Sequence, residues 1–120
     1  MKFEIEKVGG IGEYIEEKMT VGKGVDAEEV TVYKVAKQSD NTADKEDEAE
    51  KPKVFLVVRK NTLEVRTDQK LRELLRERYE SVMESRYFGR GGIEIVDSGQ
   101  ITGDEINDLV RLSYSLTKQQ

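Results

Sequence analysis

Arginines and aromatic residues are concentrated between residues 59 and 90, and they are the side chains of this sequence best suited to chemistry. Residues 53–90 include ten basic and six acidic residues, a net charge of +4, although the whole chain of 120 residues carries −5. Cations neutralise phosphates and flat rings stack on bases, so arginines beside rings are typical of nucleic-acid-binding surfaces. The residues that we predict to contact DNA or another polyanion are Arg59, Lys60, Arg66, Arg86, Tyr87, Phe88 and Arg90.

The same charges have a second interpretation. On the segment 69–79, Arg72 and Arg76 alternate with Glu73 and Glu77, and such mixed charge is typical of a solvated helix face with local ion pairs. The alternative to nucleic-acid binding is therefore a protein–protein interaction module, which would contact its partner through a sheet face or an acidic loop.

The glycine-rich stretch RYFGRGGIEIVDSG, residues 86–99, has the composition of a phosphate-binding loop. A dinucleotide-binding loop, however, follows a strand and precedes a helix, whose N-terminus holds the phosphate. Here a strand-like segment follows the glycines, and the Walker pattern of phosphate-binding loops is absent from the chain. The stretch therefore predicts a wing-like turn with glycines at positive φ, which presents Arg86 and Arg90 beside a strand.

The absence of two residue types removes most familiar catalytic and metal chemistry. The chain has no cysteine and no histidine, which excludes disulfides and thiolate metal sites and removes the usual general base and zinc ligand. Carboxylates act as a catalytic pair only in an enclosed site, and we expect Tyr114 to pack its ring with its hydroxyl in water. We predict no enzyme, metal or cofactor, with an enzyme built on carboxylates and a tyrosine as the remaining alternative.

The acidity of the chain comes mostly from one tract. Residues 38–50, QSDNTADKEDEAE, contain six acids and one lysine, a net charge of −5. The tract lacks apolar residues larger than alanine, so we predict a flexible acidic insertion at about 38–52 within a single domain, 1–120. A functional alternative is an acidic mimic that competes with nucleic acid for the basic residues. Because the sequence contains neither a membrane-spanning apolar run nor a signal peptide, we predict a cytoplasmic protein without a membrane partner.

Hydrophobic patterning predicts the elements that position these residues. Strands are expected at 30–36, 53–60, 62–67 and 92–97, with 53–60 as a central, doubly buried strand and 54–67 as a hairpin that turns at Lys60–Asn61. Helices are expected at 69–79, capped by Asp68, and at 103–118, where Thr102 and Glu105 form a capping box. A third helix at 11–20 is predicted from the stripe of Ile11, Tyr14, Ile15 and Met19. The pattern indicates an α+β fold.

The order of these elements resembles the MmcQ/YjbR family. The likeness rests on LEVRTDQKLRELL (63–75), on GRGGIEIVDSG (89–99) and on LVRLSYSL (109–116), which carries the Ser113–Tyr114 pair. The resemblance implies a CyaY-like domain of double-wing type, an antiparallel sheet with helices on one face, and DNA binding through wing-like hairpins. Basic residues of the family match Arg66 and Arg90. This chain departs from the family at Gly92 and Ile93, where a histidine and a tryptophan are usual.

Overall fold

A computed structural model of the protein describes residues 3–22, 24–36, 53–96 and 100–119. Within these residues, six strands form one antiparallel sheet in the order β1-β2-β3-β4-β6-β5. The strands are β1 Tyr14–Val21, β2 Glu28–Val35, β3 Val54–Val58, β4 Thr62–Arg66, β5 Val82–Ser85 and β6 Gly89–Val96. The α+β prediction is confirmed, and β3 is central with four of its five residues buried. The predicted acidic insertion at about 38–52 lies outside the described residues.

Helices α1 (Gln69–Arg78) and α2 (Gly103–Lys118) pack on one face of the sheet, which we call the helix-covered face. The side chain of Asp68 caps α1 by accepting a hydrogen bond of 2.8 Å from the Leu71 amide. Thr102 and Glu105 form the predicted capping box at the start of α2. The predictions for both helices are confirmed, and the bounds of α2 match the predicted 103–118. Both helices were predictable because their start signals are local in the sequence.

Apolar side chains fill the space between the helices and the sheet. Leu63, Ile93 and Ile95 from the strands and Val110 from α2 are almost fully buried there. A register shift pairs Tyr33 with Leu56 but Lys34 with Val54, so Phe55 is an extra residue in β3. This bulge adds Phe55 to the core, where its ring meets that of Tyr114 edge-on at 4.9 Å.

The predicted helix at 11–20 is wrong, because residues 14–20 of this segment belong to strand β1. All eight residues of β1 pair with β2, from Tyr14 opposite Val35 to Val21 opposite Glu28. Ile15 and Met19 are four residues apart, a spacing that places them on one side of a helix and also on one side of a strand. Pairing with β2, which is remote in sequence, decides between the two. Strand β5, with only four residues, was also not predicted.

The opposite face of the sheet, on which no helix of the described residues packs, is here called the helix-free face. Its half on β2 and β3 is apolar, with a buried cluster of Val30, Val32, Val54 and Val57. Its half on β4 and β6 is polar and includes Glu64 and Glu94, which are directly opposite each other. Both glutamates are buried, with 0% and 1% of their surface exposed.

Candidate functional site

The turn between β5 and β6 folds over the helix-free face and is held there by a buried carboxylate. The amide of Tyr87 and the hydroxyl of Ser85 donate to Oε1 of Glu64, at 2.7 and 2.5 Å. The Ser85 hydroxyl also accepts a hydrogen bond of 2.8 Å from the Phe88 amide. Gly89 has a φ of +61° as predicted for this turn. Glu64 therefore fixes the turn that carries three of the predicted contact residues.

Gly92 serves close packing rather than a positive φ. A Cβ atom at this position would lie 2.3 Å from the carbonyl oxygen of Val65 and 2.9 Å from Cβ of Phe88. Such distances are far below van der Waals contact, so a side chain here would displace β4 or the turn. The prediction of a turn glycine at positive φ thus holds at Gly89, whereas Gly92 lets Phe88 lie directly on the strand.

Arg59, which we predicted to contact phosphate, is buried in an ion-pair network. Its Nε donates to Oε2 of Glu64 at 2.5 Å, and its Nη1 donates to Oε1 of Glu28 at 3.2 Å. Only 8% of the residue is exposed. This guanidinium is therefore buried and paired with two carboxylates, and its charge is not available to a ligand.

Arg86 is exposed, but a carboxylate also neutralises its charge. Its Nε and Nη2 donate to the two oxygens of Glu94 at 2.9 and 2.6 Å, and the hydroxyl of Thr62 donates to the same carboxylate at 2.7 Å. Burial works to raise the pKa of Glu94, but the hydrogen bonds from Arg86 and Thr62 outweigh it and lower the pKa below its ordinary value. The hydrogen bond to Glu94 in turn raises the pKa of Arg86. Such a bidentate pair leaves little free charge.

The remaining predicted residues at this end of the sheet form what we call the arginine–aromatic patch: Arg66, Tyr87, Phe88 and Arg90. The guanidinium of Arg66 lies 4.8 Å from the centre of the Phe88 ring, and the rings of Phe88 and Tyr87 meet edge-on at 5.1 Å. The Nε of Arg66 donates to the carbonyl of Val54 at 3.0 Å. Burial lowers the pKa of Arg66, but an arginine stays charged at neutral pH.

Two members of the patch are open to solvent. Tyr87 is 44% exposed. Arg90 lies on β6, two residues after Phe88 in the sequence, and its side chain is exposed. Gly92 of the same strand pairs with Arg66. The Arg90 side chain forms no hydrogen bond or ion pair with the residues that the structure describes, so its charge is available to a ligand.

Lys60 does not belong to this patch. It lies in the β3–β4 turn, at the end of β4 where Thr62 pairs with Val96, whereas Arg66 pairs with Gly92 at the other end. Four residue steps of strand, from Thr62 to Arg66, separate this turn from Arg66, a distance of about 13 Å. The predicted set therefore divides into a buried residue, a neutralised residue, a distant lysine and the arginine–aromatic patch.

The Ser113–Tyr114 pair of α2 holds the backbone beneath the patch. The Ser113 hydroxyl accepts a hydrogen bond of 2.8 Å from the Arg66 amide and donates one of 2.6 Å to the carbonyl of Phe55, so it bridges β3 and β4. The Tyr114 hydroxyl donates to the carbonyl of Glu13 at 2.7 Å, and burial raises its pKa. Tyr114 packs its ring as predicted, but its hydroxyl bonds the backbone instead of water.

The described residues were also compared with the requirements of a metal site, a ligand cleft and a membrane-spanning helix. Within the described ranges, no group of three or more acidic side chains is placed to hold a metal ion. A cleft of about 160 Å³ separates α1 from α2, and it contains no predicted contact residue; it is lined by Leu75, Tyr79, Ile101, Glu105, Asp108 and Leu109. None of the helices in the described part of the chain is both long enough and apolar enough to span a membrane.

No family model matches the sequence, and no curated protein matches it. Its fold is similar to the crystal structure of Deinococcus radiodurans protein DR2400, which carries the family-model domain DUF419. The two structures agree with a TM-score of 0.61 over 86% of this chain and 70% of that chain, at 16% sequence identity. DUF419 is related to MmcQ/YjbR. At this identity the likeness shows the fold alone.

Proposed function

We propose that this protein is a cytoplasmic nucleic-acid-binding domain of the MmcQ/YjbR type, and that single-stranded nucleic acid contacts its arginine–aromatic patch. The observation that carries the proposal is the half-exposed ring of Tyr87 beside Phe88, with Arg66 over the Phe88 ring. Arg90, two residues after Phe88 in the sequence, is exposed and has no ion pair among the described residues. Rings that stack on unpaired bases, flanked by arginines that meet phosphates, are the usual means of binding single strands.

The charge distribution sets the strength of this binding. Because Arg59 and Arg86 are paired with Glu64 and Glu94, only Arg66 and Arg90 are placed to neutralise phosphates at the patch. Two such contacts on a single strand give a slope of log affinity against log salt of about −1.4. Binding is therefore weak and depends modestly on salt, with stacking on Tyr87 supplying much of the affinity.

The MmcQ/YjbR assignment is supported by the DUF419-like fold and by the Ser113–Tyr114 pair in its expected helix. The chain departs from the family at Gly92, where a histidine is usual. Here Phe88 covers Gly92 from the turn, with its Cδ2 3.0 Å from where a Cβ atom would lie. An aromatic ring thus occupies this part of the surface, although it comes from the turn and not from the strand.

The test is a fluorescence-anisotropy titration of a labelled oligothymidine and a labelled duplex, at low and at physiological salt. We expect the single strand to bind more tightly than the duplex. Tyr87→Ala should weaken single-strand binding about tenfold, since a stacked base contributes about 1–3 kcal/mol, whereas Tyr87→Phe, the matched control, keeps the ring and should bind normally. Absence of binding by the wild-type protein, or equal binding by all three proteins, would remove the proposal.

A protein-interaction module is the second candidate, and one observation favours it. Ile15 and Met19 on β1, at an edge of the sheet, are 42% and 40% exposed. Exposed apolar side chains along an unpaired edge are typical of surfaces that bind another strand. This candidate predicts an interaction that survives Tyr87→Ala and is lost when β1 is altered.

A further inference from the structure

The strands at the edges of the sheet differ in a way that bears on assembly. β5 has four residues and a register shift near its end, features that limit further pairing. β1 has eight residues, pairs with β2 without a shift, and its six central residues are all exposed. Among the described residues no strand pairs with the outer side of β1. As far as these residues go, its backbone groups there are open to another strand.

The backbone groups that face outward can be assigned from the β1–β2 pairing. The amide of Ala36 donates to the carbonyl of Glu13 at 3.1 Å, so odd-numbered residues of this segment direct their backbone groups toward β2. In an antiparallel pair this direction alternates along the strand. The outward amides and carbonyls of β1 therefore belong to Tyr14, Glu16, Lys18 and Thr20.

We propose that β1 pairs antiparallel with β1 of a second copy of this chain, about a two-fold axis that passes beside Glu17. In this register Glu16 lies opposite Lys18 of the second copy, and Ile15 lies opposite Met19 of the second copy. Each pair occurs twice by symmetry. The oppositely charged pairs use the outward backbone groups, and the apolar pairs bring together the exposed side chains of the helix-free face. Opposite charges and apolar residues directly across strands stabilise a sheet.

The register with the axis beside the next residue, Lys18, is less favourable. Residues directly opposite one another must lie on the same face of the joined sheet, so the axis has to pass beside a residue and not between two residues. An axis beside Lys18 would oppose the two lysines and leave Glu16 opposite Thr20. An axis beside Glu17 opposes the two Glu17 side chains, but each already has an ion pair of 2.5 Å with Lys34 of its own chain. This neighbouring cation offsets the repulsion.

The size of the contact predicts a weak dimer. The seven residues of β1 that pair in this register, 14–20, bury less surface than a standard interface, so we expect a dissociation constant on the order of micromolar or weaker. The inference does not depend on nucleic-acid binding, because β1 and the arginine–aromatic patch share no residue.

Sedimentation velocity over a wide range of protein concentration tests the proposal. The wild-type protein should change from monomer to dimer as its concentration rises. Glu16→Lys alone and Lys18→Glu alone should each weaken the dimer roughly tenfold or more, because two attractive pairs become repulsive. An equimolar mixture of these two variants should dimerise again, since both pairs of residues 16 and 18 across the contact are then of opposite charge. Glu77→Lys and Lys70→Glu on α1 are matched charge controls and should behave as the wild type.

Hydrogen exchange is a second measurement, and it reports on backbone pairing independently of the charge changes. The amides of Tyr14, Glu16, Lys18 and Thr20 should become protected at high protein concentration, while those of β5 do not change. A monomer at all concentrations would overturn the proposal. So would a dimer in which β1 amides gain no protection, or one in which mixing the two variants restores nothing.

Discussion

The helix-covered and helix-free faces of the sheet both exclude water at their centres, but different side chains do so. On the helix-covered face, Leu63, Ile93 and Ile95 pack against α1 and α2. On the helix-free face, one strand position away, Glu64 and Glu94 are equally buried under the β5–β6 turn and two arginines. The helix-covered face is thus stabilised by apolar burial, and the β4–β6 half of the helix-free face by compensated charge.

The difference explains why charge counted along the sequence overstates the binding surface. Arg59 and Arg86 contribute to the +4 of residues 53–90, yet they are the counterions of Glu64 and Glu94. Buried carboxylates directly opposite each other would destabilise the sheet without such partners. The fold therefore uses two arginines of the predicted set, and the patch is left with Arg66 and Arg90.

The two faces should differ most in how a second substitution changes the loss of stability caused by the first. Glu64→Gln leaves Arg59 buried with only the partly exposed Glu28, and it should lower the free energy of unfolding by about 3 kcal/mol. The double variant Arg59→Met with Glu64→Gln should recover much of this loss, because the only charge left without its partner, that of Glu28, is partly exposed. Urea unfolding of both variants and the wild type measures the effect.

Ile95→Ala on the helix-covered face is the comparison for that experiment. It should cost about 2–5 kcal/mol through loss of apolar burial and the cavity that remains. A second truncation at Leu63 should add to this loss and not reverse it. If the Arg59–Glu64 pair showed the same additive behaviour, the helix-free face would not depend on charge compensation.

A smaller effect is expected at the point where the turn lies on the helix-free face. Gly92→Ala would place a Cβ atom 2.3 Å from the Val65 carbonyl, and the required shift of β4 or the turn should cost about 2 kcal/mol. Gly103→Ala is the control, because nothing lies within 4 Å of its Cβ position and alanine favours the first turn of α2. Thermal unfolding compares them, and equal melting temperatures would contradict the close packing described for Gly92.

The smallest effect depends on pH. The pKa of Glu94 lies below its ordinary value of 4.5 in the folded protein, so its ionised form stabilises the fold above pH 4.5 and this contribution is lost as the pH falls through the folded-state pKa. Arg59 and Glu64 also face this carboxylate, but its direct partners are Arg86 and Thr62. Glu94→Gln should therefore cost about 1 kcal/mol at neutral pH, since the exposed Arg86 is screened by solvent.

The measurement is urea unfolding of the wild type and Glu94→Gln between neutral and acid pH. The difference in unfolding free energy should shrink at and below pH 4.5. A difference that stayed constant over this range would show that the ionised carboxylate does not stabilise the fold.

Features with local signals were predictable from the sequence, and features that depend on distant contacts were not. The capping box and apolar stripe specify α2, and the Lys60–Asn61 turn specifies the β3–β4 hairpin. The segment of β1 has side-chain spacing that fits a helix as well as a strand, and only its pairing with β2 decides between them. β5 is too short to show a strand pattern and forms by pairing with β6.

Only part of the candidate site was predicted, because the rest of it also depends on contacts between residues that are distant in the sequence. The alternation in TLEVR and GIEIV places Glu64 and Glu94 opposite the apolar core, which in most sheets means exposure to water. Their burial follows from the turn that folds over them and from Arg59, which reaches back along the sheet. No sequence signal showed that these carboxylates take two of the predicted arginines as partners.

The division of the arginines into paired and available residues is the central claim, and oligonucleotide binding tests it most directly. Single-strand affinity should be measured by fluorescence anisotropy for Arg90→Gln, for Arg76→Gln as a distant arginine on α1, and for Arg86→Gln with Glu94→Gln, which removes an ion pair without changing net charge. The account predicts weaker binding only for Arg90→Gln. Normal binding by Arg90→Gln together with weaker binding by the Arg86–Glu94 double variant would contradict it.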